Sequence, residues 1–338
     1  MVSLKDIEVS NKGIEALGPD LVAVFVGATN GVGETTLKRF AKHALRPRVY
    51  VVGRSQEAAD RILTECRASS NGGTFTFIKG DTSRMSNIDD ICNQITHSEK
   101  AINILCLTIG TLQIGFDTED GLHYPMALTV YARHRFVSNL LPSLRRADRL
   151  RRVVSVFGAT FEGTIDMNDF QGSSKGWPKL QAHMASIITL SLEAFQKAAP
   201  EVSFVHNFPG AVESGITRGS IGPLMRTLKT IFGVLGSLVH IPLEEAGERH
   251  LFLCTSARFS SGVEDAAPGV PLPDGQTLAR GVTGELGTGV YSIDANGECA
   301  TVKVERLLAM FREQGTAGQA FDRVENDISK ILSSGAKE

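Results

Sequence analysis

Two kinds of segment alternate along the first 210 residues. Short continuous apolar runs are typical of strands buried on both faces of a parallel sheet, and longer segments between them repeat apolar residues at helical spacing. The runs predict strands at Leu21–Gly27, Arg48–Gly53, Thr74–Lys79, Ile102–Thr108, Arg152–Phe157 and Val202–Asn207. The helical spacing predicts helices at Val32–Leu45, Gln56–Ser69, Asn87–Thr96, Met126–Ala147 and Gln181–Lys197.

The pattern becomes less regular after Pro209. We expect helices at Pro223–Leu235 and Leu243–Cys254, a surface loop rich in Gly and Pro at 263–288, a closing strand at Gly289–Ile293 and two amphipathic helices within Val302–Leu332. Alternating strands and helices with short connections predict an α/β fold with a doubly wound parallel sheet. We therefore divide the chain into a lead-in (1–20), one nucleotide-binding domain (21–262) and a C-terminal extension packed on that domain (263–338).

Composition narrows the possible functions. The chain has 338 residues, 42% of them hydrophobic, and a net charge of −2, which gives no electrostatic reason to expect nucleic acid or an anionic membrane as a partner. Its five cysteines are scattered without a CxxC pair, and its eight histidines lack metal-ligand spacing, so we expect a reducing compartment and no metal. The most apolar stretch, Ile231–Leu243, is too short to span a bilayer. A cytoplasmic protein without stable membrane insertion is the expectation.

The first predicted strand runs into a glycine-rich turn, Gly27-Ala28-Thr29-Asn30-Gly31-Val32-Gly33, and then into a helix. Glycines at such a turn let the backbone approach a diphosphate, and the helix N-terminus presents unpaired N–H groups to the anion. The turn opens the first strand–helix–strand unit, where that mechanism requires it. It predicts a dinucleotide site on a Rossmann-type fold, with Thr29, Asn30 and Val32 among the contacts.

The spacing G-x-x-x-G-x-G resembles that of the short-chain dehydrogenase/reductase family, and further landmarks follow in the family's order. Arg54 ends the second strand, where an arginine suits the 2′-phosphate of NADP(H). Asp81 and Thr82 follow the third strand, and Gly110 follows the fourth. Beyond the sixth strand, the family's nicotinamide-binding motif is matched by Pro209, Gly210, Val212 and Ser214. The resemblance covers about residues 20–255 and implies NADP(H) as cofactor.

The spacing from Glu162-Gly163-Thr164-Ile165 to Phe170-Gln171-Gly172 is similar to that of retinol-dehydrogenase and carbonyl-reductase-like members. Arg133-His134-Arg135-Phe136 and His183 resemble a divergent subset from fungal natural-product pathways. These likenesses imply an oxidoreductase of secondary metabolism that reduces a ketone or aldehyde. Family members often form dimers or tetramers through two long helices, here Met126–Ala147 and Gln181–Lys197, although the charges on the first leave a monomer open.

The family's catalytic residues are missing. Gly158 stands where its serine should end the fifth strand, and Ser155 falls inside that strand. No tyrosine lies between Tyr131 and Tyr291, so no Tyr-x-x-x-Lys pair exists. One alignment places Lys179 at the tyrosine and His183 at the lysine, and other alignments shift this by several residues. Loss of a general acid costs about 10²–10⁴-fold in rate, whereas positioning supplies about 7–11 kcal/mol, so the missing residues slow hydride transfer but do not exclude it.

Three residues are candidates for the proton donor. His183 has a suitable unperturbed pKa, Lys179 is the acid if His183 only orients it, and Tyr131 offers a phenol on the neighbouring helix. Arg133 and Asp166 are candidates for holding a polar substrate, and Trp177 is a candidate for lining the pocket. Each of the six has an alternative as an ordinary packed or solvated residue.

Three functions remain open. The first is an NADP(H)-dependent reductase of a bulky hydrophobic carbonyl compound. The second is a non-redox isomerase, dehydratase or cyclase on the same scaffold, and the third is a nucleotide-binding protein without turnover. Residues 211–242 form either an apolar lid over the substrate or a packing segment that touches the extension, a membrane or a partner.

Overall fold

The computed structural model describes residues 2–212, 241–263, 267–273 and 275–335. It confirms the doubly wound parallel sheet, in which the strands lie in the order β3-β2-β1-β4-β5-β6-β7. The chain leaves β3 at one edge and resumes at β4 beside β1, so a topological switch point lies between β1 and β4. The strands are β1 Val22–Val26, β2 Arg48–Gly53, β3 Thr74–Lys79, β4 Ile104–Leu107, β5 Arg152–Val156, β6 Ser203–Asn207 and β7 Val290–Ile293.

Helices cover both faces of this sheet. Those that the structure describes are α1 Leu4–Lys12, α2 Gly31–His43, α3 Gln56–Ser69, α4 Met85–Ser98, α5 Tyr124–Met126, α6 Ala132–Leu144, α7 Trp177–Ala198, α8 Leu243–Thr255, α9 Val302–Glu313 and α10 Thr316–Gly335. Side chains of α1, α2, α3 and α8 form one apolar core, and those of α4, α6, α7, α9 and α10 form the other. The predicted helix Pro223–Leu235 lies outside the described residues.

Strand β1 shows why the sheet needs two cores. All five of its residues are buried, and successive side chains point to opposite faces. Val22, Val24 and Val26 enter the core under α4, α6 and α7. Ala23 and Phe25 enter the core under α2 and α8. The continuous apolar run in the sequence is therefore the sum of two buried faces.

The chain's two ends add elements to this frame. Strand β7 joins the sheet beside β6 and confirms the predicted closing strand. Residues 1–20 carried no predicted element, yet α1 forms there and packs on α8. Asn11 Nδ2 donates to the main-chain oxygen of Glu248 at 2.9 Å and to its carboxylate at 2.7 Å. This contact spans most of the sequence, which is why local periodicity did not reveal it.

Helix α10 covers the outer faces of α6 and α7. The Tyr131 hydroxyl donates to Asp327 Oδ2 at 2.8 Å, His134 Nε2 lies 2.7 Å from Glu325 Oε1, and the rings of Phe195 and Phe321 are 5.3 Å apart. These are the two helices through which a family dimer was expected. Over the described residues, none of the helices is long and apolar enough to cross a membrane.

We predict that the protein is a monomer in solution, because α10 covers the surface of α6 and α7 through which family members dimerise. Light scattering after size-exclusion chromatography measures the mass, and a dimer mass would contradict the prediction.

Phe321→Ala should lower the free energy of unfolding by about 2–3 kcal/mol, since a packed aromatic ring is lost. The control Asp322→Ala, at the exposed neighbouring position, should change it by less than about 0.5 kcal/mol.

Candidate active site

The turn between β1 and α2 comes very close to the end of β4. Gly27 has a φ of +91°, and a β-carbon built on it would lie 2.8 Å from the nitrogen of Ile109. A β-carbon on Gly33 would lie 2.4 Å from Thr108 Oγ1. Any side chain at either position would push the turn away from β4. The glycines thus keep the backbone free to approach a ligand at the switch point.

Helix α2 starts at this turn with an open N-terminus. It begins at Gly31, whose φ is +57°, and no side chain of the preceding Asn30 caps it. The first N–H groups of the helix are therefore available to an anion, and the helix dipole favours negative charge there. On the other side of the turn, Thr29 packs against Gly53 at the end of β2. A β-carbon on Gly53 would lie 2.6 Å from Thr29 Cγ2. Val32 is buried in the first turn of α2.

The ends of β2 and β3 place polar groups beside the turn. Arg54 is exposed directly after β2, and its Nη1 donates to the Tyr124 hydroxyl at 3.3 Å. Asp81 follows β3, and its Oδ1 accepts from the N–H of Ser83 at 3.0 Å. Thr82 is buried between them. Tyr124, at the start of α5, was not predicted as a neighbour of Arg54, because the long connection after β4 gives no periodic signal.

The remaining landmarks lie at the ends of β4 and β6. A β-carbon on Gly110 would meet nothing within 4 Å, so this backbone faces open space. Gly210 has a φ of +78° beside Pro209. The half-buried Val212 forms an isolated β-bridge with Ile241. This bridge brings together the two chain positions that flank residues 213–240. Ser214 and most of the segment 211–242 lie outside the described residues.

The end of β5 and the start of helix α7 together form one wall of the site. A β-carbon on Gly158 would lie 3.4 Å from Cγ and Nε2 of Gln181 and 3.6 Å from Cβ of Ala185. Residues four apart share one helix face, so Gln181 and Ala185 are the pair that faces β5. Gln181 is half-buried, and no hydrogen bond joins its amide to the residues that the structure describes. Sequence reasoning missed Gln181, because its position depends on how α7 is rotated.

Comparisons with known proteins agree with this geometry. The family model for short chain dehydrogenases matches residues 21–124. An oxidoreductase of Emericella nidulans is 35% identical to 98% of this chain, over 99% of its own length. The chain belongs to the short-chain dehydrogenase/reductase family. A short-chain dehydrogenase/reductase, SAT2, of Stachybotrys chartarum is 28% identical over 93% of this chain and 94% of its own.

The fold is likewise that of solved members of the family. The crystal structure of L-sorbose reductase from Gluconobacter frateurii, complexed with NADPH and L-sorbose, has a TM-score of 0.55 to this chain. That comparison covers 77% of this chain and 94% of the other at 16% identity, so it concerns the fold alone.

Gln181 and Ala185 lie opposite Gly158, the family's serine position, with the four-residue spacing of the family's Tyr-x-x-x-Lys pair. The alignment that put Lys179 and His183 at that pair is two residues out of register with this face of α7. Lys179 is exposed at the start of α7 and faces away from Gly158. It does not contribute to this wall of the site.

His183 lies about half a turn of helix from the Gln181 face and is fully buried. Its Nδ1 accepts from the N–H of Asp166 at 3.2 Å, and its Nε2 donates to the carbonyl oxygen of Phe170 at 2.9 Å. Burial lowers its pKa, which favours this neutral ring. His183 has no proton to give without breaking a backbone hydrogen bond. The acid role predicted for it is wrong, and the residue holds the loop before α7.

Tyr131 points away from β5, towards the C-terminal helix. Its hydroxyl donates to Asp327 and accepts from Gln171 Nε2 at 2.7 Å. Burial raises its pKa, and the Asp327 carboxylate raises it further. A phenol held in this way is a poor acid at neutral pH, and its contacts tie α10 to the core. The structure does not bring Tyr131 together with Gln181.

The long helix predicted at Met126–Ala147 contains an irregular turn, and Arg133 binds the carbonyl oxygens of that turn. Residues Ala127–Tyr131 form a π-helical turn before α6, which displaces backbone carbonyls from their usual partners. Arg133 Nη1 donates to the carbonyl oxygens of Leu128 and Thr129 at 3.1 and 3.2 Å. Its Nη2 donates to the carbonyl oxygen of Val156, and its Nε donates to Ser155 Oγ, both in β5.

The Arg133 guanidinium is buried, which lowers its pKa to about 9, so it remains charged at neutral pH. A cation committed to four protein oxygens is not available to a substrate. The predicted substrate role of Arg133 is therefore wrong. Ser155 is buried inside β5, as its register in the sequence indicated.

The other two predicted substrate residues belong to the loop before α7. Asp166 accepts from Lys175 Nζ at 2.9 Å and from the N–H of Asn168 at 3.0 Å. The hydrogen bond from Lys175 lowers the pKa of Asp166. Trp177 is partly buried at the first position of α7 and packs against the apolar core. Both contacts organise the loop, and neither places its residue beside Gln181.

Behind Gly158 lies a buried polar network that the sequence did not reveal. His206 Nε2 accepts from the N–H of Gly158 at 3.3 Å, so the ring proton is assigned to Nδ1, which donates to Thr189 Oγ1 at 2.8 Å. Thr189 and Ser292 both donate to Glu162 Oε1, at 2.8 and 2.7 Å. Burial lowers the pKa of His206 to about 3 and raises that of Glu162. The network joins β6, β7 and α7 to the turn that follows β5.

We predict that His183 contributes to stability and that Lys179 does not. His183→Ala leaves the Asp166 N–H and the Phe170 carbonyl without partners, so the free energy of unfolding should fall by about 2–3 kcal/mol. Lys179→Ala, an exposed change in the same helix, should alter it by less than about 0.5 kcal/mol. Urea unfolding measures both, and equal stabilities would contradict the assignment.

The same histidine predicts a pH dependence. Burial lowers its pKa in the folded state, whereas an unfolded histidine titrates at about 6.5. The unfolded chain therefore binds a proton that the folded chain does not, and stability is lost as the pH falls below about 6.5. Urea unfolding between neutral pH and pH about 5 should show a shallower slope for His183→Ala than for the wild-type chain.

Proposed function

We propose that the protein is an NADP(H)-dependent reductase of bulky hydrophobic ketones or aldehydes, with an atypical site and a role in secondary metabolism. One observation carries this proposal. The nucleotide cradle at the β1–α2 turn is intact, whereas the wall where the family keeps its serine and tyrosine consists of Gly158 and Gln181. The resemblance to members from fungal natural-product pathways supports the pathway assignment.

The residues around the switch point fit a phosphorylated dinucleotide. Gly27 and Gly33 leave room for a diphosphate against the open N-terminus of α2. Asp81 suits the adenine side. Arg54 suits a 2′-phosphate, because its guanidinium is exposed and, among the described residues, hydrogen-bonds only to the Tyr124 hydroxyl. The solved relative from Gluconobacter frateurii is complexed with NADPH. These features together support NADP(H) rather than NAD(H).

The site offers positioning rather than acid catalysis. NADPH, when bound, supplies a hydride for the carbonyl carbon. The amide of Gln181 lies beside Gly158 and can donate a hydrogen bond to the carbonyl oxygen, which stabilises the negative charge that develops there. An amide does not transfer a proton at neutral pH, so the alkoxide takes its proton from water. We therefore expect a slow enzyme.

Loops at the carboxyl end of the sheet support a hydrophobic substrate. Ile114 and Phe116, on the connection after β4, are each 46% exposed, and Phe161, after β5, is 49% exposed. Phe161 meets Phe208, which follows β6, with ring centroids 4.8 Å apart. Apolar and aromatic side chains are the usual lining of small-molecule sites, so the Phe161–Phe208 pair favours a hydrophobic substrate.

A second candidate is a non-redox isomerase, dehydratase or cyclase on the same scaffold. It is favoured by the absence of both hydroxyls from the Gly158–Gln181 wall. An assay with NADPH and a panel of hydrophobic ketones separates the two, if cofactor absorbance and product mass are followed together. Cofactor oxidation with a product heavier by two hydrogens supports the reductase. A product without cofactor oxidation supports the second candidate.

We predict that Arg54 selects NADPH over NADH. Arg54→Asp should weaken NADPH binding by about 10- to 100-fold, because hydrogen bonds to charged groups contribute about 1.5–3 kcal/mol. NADH binding should weaken little. Arg46→Asp makes the same charge change before the amino end of β2, where Arg46 pairs with Asp20, and should leave both affinities unchanged. Calorimetric titration measures the affinity of the wild-type chain and of both variants for each nucleotide, and equal affinity of the wild-type chain for NADPH and NADH would refute the selectivity.

We predict that Gln181 holds the substrate carbonyl. Gln181→Ala should lower kcat/KM for a reduced ketone by about 10- to 100-fold, since a donor to the developing charge is lost. NADPH affinity should stay within about twofold. Lys179→Ala, two residues earlier and facing away, is the matched control and should keep full activity. Unchanged kcat/KM in Gln181→Ala would rule out this role.

A further inference from the structure

The turn after β5 contains a threonine in a costly backbone conformation. The N–H of Phe161 donates to the carbonyl oxygen of Gly158 at 3.2 Å, which closes a four-residue turn. Its third residue, Thr160, has a φ of +68°. Turns with positive φ at this position strongly favour glycine, and a β-branched residue there is an outlier. Among the described residues, Asp20 and Arg46 are the other non-glycines with positive φ, and neither is β-branched.

Surrounding groups keep Thr160 in this conformation. Its N–H donates to Ser292 Oγ at 2.9 Å, and that hydroxyl in turn donates to the buried Glu162. On either side of Thr160, the N–H of Gly158 donates to His206, and the N–H of Gly163 donates to Ser186 Oγ at 2.9 Å. Strain that is fixed so firmly is characteristic of functional sites. A glycine would form the same turn without strain, so the threonine side chain calls for another explanation.

The Thr160 hydroxyl is available to a ligand. Thr160 is partly exposed, and no hydrogen bond joins its Oγ1 to any residue in the described part of the chain. It lies two residues after Gly158, the empty serine position, and directly before the exposed ring of Phe161. It is therefore the hydroxyl nearest in sequence to the place where the family keeps one. The turn also lies at the carboxyl edge of the sheet, where ligands of this fold bind.

We propose that Thr160 is a substrate-binding residue whose hydroxyl donates a hydrogen bond to the oxygen of the substrate carbonyl, beside the Gln181 amide. This inference rests on the proposed carbonyl reduction. The strained turn holds the hydroxyl in place of the missing serine side chain, and the Phe161–Phe208 pair contacts the apolar part of the substrate. The favoured substrate class is an apolar ketone or aldehyde whose carbonyl oxygen accepts two hydrogen bonds.

Three variants at one position test the proposal. Thr160→Ser keeps the hydroxyl, Thr160→Val keeps the shape and the strain without it, and Thr160→Gly removes both. Thr160→Gly should raise the Tm by about 2–4 °C, because the strain is relieved. Both Thr160→Gly and Thr160→Val should lower kcat/KM for a ketone reduced by the wild-type chain by about tenfold or more, while Thr160→Ser stays within about threefold.

The readouts are steady-state kinetics with NADPH and the ketone, calorimetric NADPH binding, and thermal unfolding. Unchanged NADPH affinity with lost kcat/KM in Thr160→Gly supports a contact with substrate. Full activity of Thr160→Gly or Thr160→Val overturns the proposal while leaving the reductase assignment intact. If the wild-type chain reduces no ketone of the panel, the reductase assignment fails, and this inference fails with it. Because Thr160→Gly is expected to be the more stable chain, misfolding does not obscure the result.

Discussion

The close approach of the β1–α2 turn to the end of β4 is the constraint on which the rest of the site depends. Gly27 and Gly33 leave no room for a side chain against Thr108 and Ile109. This approach places the uncapped N-terminus of α2 at the switch point between β1 and β4, where ligands of this fold bind. A single methyl group at Gly33 would move the turn and with it every distance to the Gly158–Gln181 wall.

The buried ionisable residues Arg133 and Glu162, both near β5, have different kinds of hydrogen-bond partner. Arg133 has no carboxylate partner among its hydrogen bonds and is stabilised by carbonyl oxygens that a π-helical turn displaces. Glu162 is buried with hydroxyl donors from Thr189 and Ser292. Unpaired buried charges are costly unless such groups satisfy them. Both residues fix the geometry around β5, which explains why a charged residue in this sequence is a poor guide to substrate contact.

The loss of the serine and tyrosine changes what the scaffold is able to do. A wall of Gly158 and Gln181 can bind and polarise an oxygen, but it cannot supply a proton as a tyrosine–lysine pair does. Tyr131 does not replace the missing tyrosine, because its hydroxyl is bonded to Asp327 of α10. The chain therefore keeps the family's glycine-rich turn at the switch point and lacks a tyrosine–lysine pair beside Gly158.

The sequence by itself determined the sheet, the order of its helices, the nucleotide turn and the absence of the usual catalytic pair. These features follow from local periodicity and from glycines whose spacing has one physical purpose. Only the tertiary structure decided which residues face the empty serine position. A rotation of α7 by two residues replaces Lys179 and His183 with Gln181 and Ala185, and no local signal fixes that rotation. Likewise, α1, the π-helical turn and the strained Thr160 depend on contacts between segments far apart in the chain, which a reading of neighbouring residues does not contain.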